Sequence, residues 1–229
     1  MLKNTQINKL AVQKIANALG DLNEKVVYVG GATVSLYIND LSAEDVRPTK
    51  DVDITLQIAT ITELESLREV LNQKGFKQSS EDDVVCRFRF EDVKVDVMST
   101  QPVGWAPANK WFELGFDQSV LHSLDGIDIR ILPLPYFLAT KFSAFNDRGG
   151  SDPRFSHDFE DIIYLLNYIK DLGSVLKESD SNVKGYLIQE FKKILKDKVK
   201  QEAILCNLFH EDQSTRFNRI IKILESFVE

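Results

Sequence analysis

The chain has 229 residues, 43% of them hydrophobic, and a formal net charge of −7. This is enough apolar material for one large or two modest domains. The acidic balance argues against non-specific nucleic-acid binding, which depends on neutralising phosphates, though it leaves room for a local basic patch. No window approaches the roughly 18 consecutive apolar residues of a membrane span. The segment from Met1 to Gln6 lacks the apolar run and cleavage site of a signal peptide. Cys86 and Cys206 are too few for a disulfide framework, and His122, His157 and His210 lack metal-ligand spacing. A cytoplasmic protein without membrane contact is expected.

In chain order, residues 2–19 have helical apolar spacing and Gly20 supplies a stop. The run from Val26 to Val29 predicts a strand buried on both faces. Gly30-Gly31 then makes a turn, and the pattern from Ala32 to Ile38 suits a short helix. Arg47-Pro48 keeps the chain extended before a strand over 51–58. Thr62 with Glu65 forms a capping-box pattern for a helix ending at Gly75. Residues 84–90 and 93–99 alternate as a hairpin around Glu91-Asp92. Residues 100–127 are rich in Pro, Gly and aromatics and read as irregular, followed by a short strand over 128–132. From Pro133 onward the character is helical: 136–145, 157–170, and two or three helices over 173–229. The loop between the first two of these carries Arg148, two glycines and Asp152-Pro153. The expected class is α+β, with a mixed β-sheet domain flanked by helices over 1–132 and a helical domain over 133–229.

Strand side chains repeat with period two, so Asp51 and Asp53 share one face and Val52 and Ile54 the other. Asp96 interrupts the apolar pattern of its own strand as a third carboxylate. The plain alternative is a set of exposed strand faces. Neighbouring carboxylates repel unless a cation or proton lies between them, and a glycine turn before a helix lets a phosphate approach backbone N–H groups. Together these features fit a metal-dependent phosphoryl-transfer site, with Asp51, Asp53 and Asp96 holding one or two Mg²⁺ ions. Gly30 and Gly31, with Thr33 or Ser35 as extra donors, would meet the phosphates; a simple tight turn is the other reading. Neither a dinucleotide-binding nor a P-loop glycine pattern follows. Lys141 lies in an apolar helix, with Arg148 beyond it and Asp158 and Asp161 on one face of the next helix. These residues form either a structural Lys–Asp or Arg–Asp pair or a functional group, with Lys141 on the triphosphate and Asp158 orienting it or acting on the incoming nucleophile. Lys192, Lys193, Lys196, Lys198 and Lys200 make either a solvated helix face or an RNA-facing patch.

These residues resemble the active-site signature of the nucleotidyltransferase superfamily, the polymerase-beta-like fold. The finer pattern is similar to the AbiEii-type nucleotidyltransferases, a group that includes toxins of toxin–antitoxin systems. Thr49-Lys50-Asp51-Val52-Asp53 matches that group's Thr-x-Asp-hydrophobic-Asp segment, and Lys94-Val95-Asp96 its Lys-x-acid strand. Lys141, Ala144 and Arg148 match its Lys-x-x-Ala-x-x-x-Arg helix, and Asp158 and Asp161 its downstream Asp-x-x-Asp. There are two departures. The gap from the glycines to Asp51 is longer than in antibiotic-modifying and polymerase members, and the third carboxylate is Asp where Glu is frequent. The resemblance implies Mg²⁺-dependent transfer of a nucleoside monophosphate from an NTP, releasing pyrophosphate. Asp51, Asp53, Asp96, Lys141 and Asp158 would be catalytic; Gly30, Gly31, Thr33, Thr49, Lys141 and Arg148 would bind nucleotide. The expected site lies in a cleft between the two domains. A toxin's acceptor would be tRNA or protein, with a cognate antitoxin as partner. A small-molecule nucleotidyltransferase and a non-catalytic nucleotide- or partner-binding module are the alternatives.

Overall fold

The computed structural model describes residues 2–148 and 152–229, so the loop glycines Gly149 and Gly150 lie outside the described residues. Helix α1 (Lys3–Leu19) forms where Val12, Ile15, Ala16 and Leu19 recur on one buried stripe, and Gly20, at φ 53°, ends it. Strand β1 (Val27–Val29) is buried along its length, as its continuous apolar run requires. The short helix expected after the glycine turn is a 3-10 helix over Gly31–Tyr37. Strand β2 (Asp51–Leu56) alternates half-buried Asp51 and Asp53 with buried Val52 and Ile54. Helix α2 (Ile61–Gln73) starts on a capping box made by Thr60 and Glu63, not by Thr62 and Glu65. Both pairs have the right spacing, but only Thr60 stands in extended backbone just before the first helical residue.

Strands β3 (Arg87–Phe90) and β4 (Val93–Ser99) form the expected hairpin. β3 is shorter than read, because the chain turns at Val84, whose carbonyl accepts from Arg87 N–H. The stretch read as irregular contains helix α3 (Lys110–Phe116), capped by the Asn109 side chain, and strand β5 (Val120–Leu124). β5 pairs antiparallel with β6 (Ile127–Ile131) across Asp125-Gly126, both at positive φ. The six strands found among the described residues make one mixed sheet in the order β3-β4-β2-β1-β6-β5. Within it, β2–β4 and β1–β6 pair parallel and the other pairs antiparallel. α1 packs against β2 and β6.

The chain divides into two compact units, one of residues 1–36 and 44–133, the other of 37–43 and 134–229. The first holds the sheet. The second is helical: α4 (Leu134–Asp147), α5 (His157–Tyr168), α6 (Leu172–Lys177), α7 (Ser181–Lys196), α8 (Lys198–Cys206) and α9 (Gln213–Val228). Its core is aromatic. Phe191 meets Phe142 and Phe227 edge-on at 5.9 and 5.3 Å between ring centres, and Tyr37 stacks on Phe137 at 4.3 Å. Asn39 ties the short segment in, accepting from Lys170 N–H and donating to Asp171. In the basic run of α7 and α8, Lys193 is held by Glu190 and Lys200 by Asp197, each three residues apart. Among the described residues no helix is long and apolar enough to cross a membrane.

Arg89 and Lys94 stand directly opposite each other on β3 and β4, an unfavourable pairing of like charges. Asp82 resolves it, accepting from Arg89 Nε and Nη2 at 2.7 and 3.0 Å and pairing with Lys94 Nζ at 3.2 Å. The Arg89 hydrogen bonds pull the Asp82 carboxyl from its ordinary 3.8 down to about 2. The folded value lies below the unfolded one, so the Asp82 contribution is complete above pH ~4 and is lost as pH falls from there toward 2. Equilibrium unfolding followed against pH is expected to show this acid limb, and Asp82→Asn to flatten it.

Candidate active site

The candidate site is built on the sheet face that carries Asp51 and Asp53. The parallel register sets Asp53 opposite Asp96 and Asp51 opposite Lys94, so all four side chains leave one face. The antiparallel register of the hairpin adds Arg87 opposite Asp96. Across β3, β4 and β2 the row therefore reads Arg87, Asp96, Asp53.

The glycine turn meets the aspartates at close quarters. Gly30 has φ 74°, and a Cβ built there would stand 1.7 Å from Asp53 Oδ2. Only a glycine lets the Asp53 carboxylate lie on the turn. A Cβ at Gly31 would stand 2.5 Å from Arg47 Nη2 and 2.7 Å from Thr49 Cγ2, so the Arg47 guanidinium rests on the second glycine. Thr33 is buried, and its hydroxyl donates to the Gly30 carbonyl at 3.0 Å, closing the turn from inside. Ser35 Oγ is buried with no hydrogen-bond partner among the described residues.

Helix α1 positions the segment that delivers Arg47 and Thr49. Asp45 accepts from the backbone N–H groups of Asn4 and Thr5 at 2.7 and 2.8 Å and from the Thr5 hydroxyl at 2.9 Å. It thereby satisfies orphan donors of the first helical turn. Burial works against its charge, but these hydrogen bonds outweigh it and hold the carboxyl below its usual range. Asn4 donates to the Val46 carbonyl at 2.9 Å. The buried Asn8 donates to the Arg47 carbonyl at 3.3 Å and accepts from Thr49 N–H and Oγ1 at 3.2 Å.

Arg87 is the principal residue that the sequence reading passed over. Its Nε and Nη2 grip both oxygens of Asp96 at 2.7 and 2.6 Å, and Nη2 also reaches Asp51 Oδ2 at 3.2 Å. Hydrogen bonding to Asp96, assisted by the Asp51 charge, raises the already high guanidinium pKa. Cys86, next in the chain, has its thiol pushed up to about 11 by burial and by the charges of Asp96 and Asp53.

The oxygen donors of Asp51, Asp53 and Asp96 suit Mg²⁺ in kind. In this structure the Arg87 fork occupies both oxygens of Asp96 and one of Asp51, so a cation bound there would have to displace it. Among the described residues no three His, Cys, Asp or Glu side chains are grouped to hold a metal ion. Asp51 and Asp96 thus hold a guanidinium in this structure.

The remaining predicted residues lie in the helical unit. Lys141 donates to Asp161 at 2.8 Å, and their side chains are 6% and 3% exposed. Asp158, expected to orient Lys141, pairs instead with Arg148 at 2.5 Å. The helix spacing put both aspartates on one face, and the rotation of α5 against α4 gives Lys141 the second of them.

A mixed sheet with flanking helices and this strand–turn–strand carboxylate site defines a nucleotidyltransferase-like fold. The structure is similar to an antigenic nucleotidyltransferase-like protein from Paracoccidioides brasiliensis, with TM-score 0.52 and 18% identity over 86% of this chain and 91% of that one. It is more loosely similar to the antibiotic-resistance factor ANT(2'')-Ia, with TM-score 0.49 and 12% identity over 82% and 95% of the two chains. JHP933 from Helicobacter pylori has TM-score 0.49 and 13% identity over 98% and 91%. No curated protein matches the sequence significantly. The family model described as "Nucleotidyl transferase AbiEii toxin, Type IV TA system" matches residues 16–228, and the chain belongs to this family of nucleotidyltransferases.

Two substitutions examine this geometry. Gly30→Ala combines backbone strain with displacement of the Asp53 carboxylate; chemical denaturation is expected to show a loss of about 1–3 kcal/mol. Lys141→Ala removes the ion-pair partner of the buried Asp161 and is expected to cost about 3–5 kcal/mol, most of it recovered in the Lys141→Met/Asp161→Leu pair replacement.

Proposed function

We propose that this protein transfers a nucleoside monophosphate from an NTP to a macromolecular acceptor, with release of pyrophosphate. The observation that carries the reading is the contact of the Asp53 carboxylate with Gly30, beside Asp96 on the next strand. It puts a phosphate-sized backbone turn next to paired carboxylates, which phosphoryl transfer needs. Family membership supports it.

In this reading the Gly30–Gly31 backbone receives the β- and γ-phosphates, and the Arg47 guanidinium beside Gly31 neutralises their charge. Thr49, fixed by Asn8, orients the start of β2, while Thr33 keeps the turn closed. Asp51 and Asp53 are the candidate Mg²⁺ ligands, and Asp96 completes the set and accepts the proton of the incoming hydroxyl. Mg²⁺, when bound, would supply charge stabilisation to the transferring phosphoryl group. Exposed Arg148 stays a phosphate-binding candidate; the buried Lys141–Asp161 pair we assign to holding α4 on α5. The family's toxin description favours a tRNA or protein acceptor, an antitoxin partner and a cytoplasmic setting.

The test is incubation of the protein with each α-labelled NTP, Mg²⁺ and, separately, total RNA, a soluble protein extract and an aminoglycoside panel. Label in RNA or protein that disappears in Asp53→Ala, with at least a hundredfold loss of rate (about 2.7 kcal/mol of barrier), is the expected result. Label confined to the aminoglycosides would move the protein to the small-molecule branch. NTP binding without pyrophosphate release would make it a binding module.

A further inference from the structure

The carboxylate face already carries its counter-charge. Asp51, Asp53, Asp96 and Asp82 are interleaved with Arg87, Arg89 and Lys94 on the same three strands and the loop beside them. Arg89 and Lys94 are committed to Asp82. Arg87 is thus the cation of this group that serves the site aspartates, and its side chain is only 17% exposed. It uses a side-on fork on both oxygens of Asp96 and extends one nitrogen to Asp51. Those are oxygens that a divalent cation shared by Asp51 and Asp96 would need. A guanidinium stays protonated at any working pH, so it leaves only by displacement.

We propose that Arg87 is a resident counter-ion competing with the divalent cation for Asp51 and Asp96. The proposal rests on the nucleotidyltransferase reading of the site and adds a cation-sensitive latch to it. Without cation, Arg87 cancels the repulsion among the carboxylates and keeps β3, β4 and β2 in register. Cation binding requires Asp96 and Asp51 to give up the fork. Affinity for the cation is set by that exchange, not by the carboxylates alone.

Mn²⁺ titration, read from the free-ion electron paramagnetic resonance signal, tests this without any turnover. Arg87→Gln, which keeps a hydrogen-bond donor but no charge, is expected to bind Mn²⁺ about tenfold more tightly than wild type. It is also expected to melt at lower temperature without metal and to gain more in melting temperature on adding Mn²⁺. If Arg87→Gln does not fold, Arg87→Lys carries the test: it keeps the charge, loses the two-pronged grip, and is expected to tighten Mn²⁺ about threefold. Equal or weaker Mn²⁺ affinity in the folded Arg87 variants, with binding still abolished by Asp53→Asn, overturns the latch and leaves the transferase reading standing. Absence of Mn²⁺ binding by wild type and the Arg87 variants alike, with or without NTP, overturns both.

Discussion

Asp53 and Asp96 stand at one level on neighbouring parallel strands, and the structure around them is organised by the repulsion between their charges. Arg87 answers it from the far side of β4, at the same level again. Asp53 is brought onto the glycine turn, which excludes any Cβ at Gly30. The turn in turn constrains its neighbours. Thr33 has to spend its hydroxyl on the Gly30 carbonyl, and the Arg47–Thr49 segment must be held against Gly31 by something outside the loop. That support is α1, whose Asn4, Thr5 and Asn8 bond residues 45–49 point by point. A helix that reads in sequence as an ordinary amphipathic element is therefore also a template for the loop beside the glycine turn.

The aspartate pair was legible because strand periodicity is strict: Asp51 and Asp53 had to share a face once β2 existed. The glycine turn, the β3–β4 hairpin and the change to helices after Pro133 were legible for similar local reasons. Arg87 was within reach but overlooked. A two-residue connection at Glu91-Asp92 pairs Phe90 with Val93, and counting outward from there puts Arg87 opposite Asp96. What hid α3 and β5 was composition, since Pro, Gly and aromatic residues dominate 100–127 and mask a seven-residue helix and a short strand. The Thr60 cap was missed because two Thr–Glu pairs with identical spacing overlap, and only the backbone distinguishes them.

The helical unit shows where sequence spacing stops being informative. Asp158 and Asp161 are equivalent candidates for Lys141 by helix periodicity, and both are buried. The choice between them depends on how α5 is rotated on α4, which is decided by the packing of side chains such as Phe145 against Phe159. The outcome is two separate ion pairs, one enclosed between Lys141 and Asp161 and one reaching outward through Arg148. An enclosed pair adds little net stability compared with apolar replacements, but breaking it is costly, so it penalises any other seating of the two helices.

The segment Tyr37–Ala43 is separated in sequence from the rest of the helical unit by the whole of residues 44–133, yet it belongs there. Asn39 takes its partners from Lys170 and Asp171, and Asp40 pairs with Lys170. On a ribosome the chain emerges N-terminus first, so the sheet unit can assemble while this segment still lacks the residues that hold it. The 3-10 helix that leads out of the glycine turn, Gly31–Tyr37, runs straight into that waiting segment. The stretch that leaves the glycine turn thus reaches, within seven residues of Tyr37, partners that are synthesised some 130 residues later.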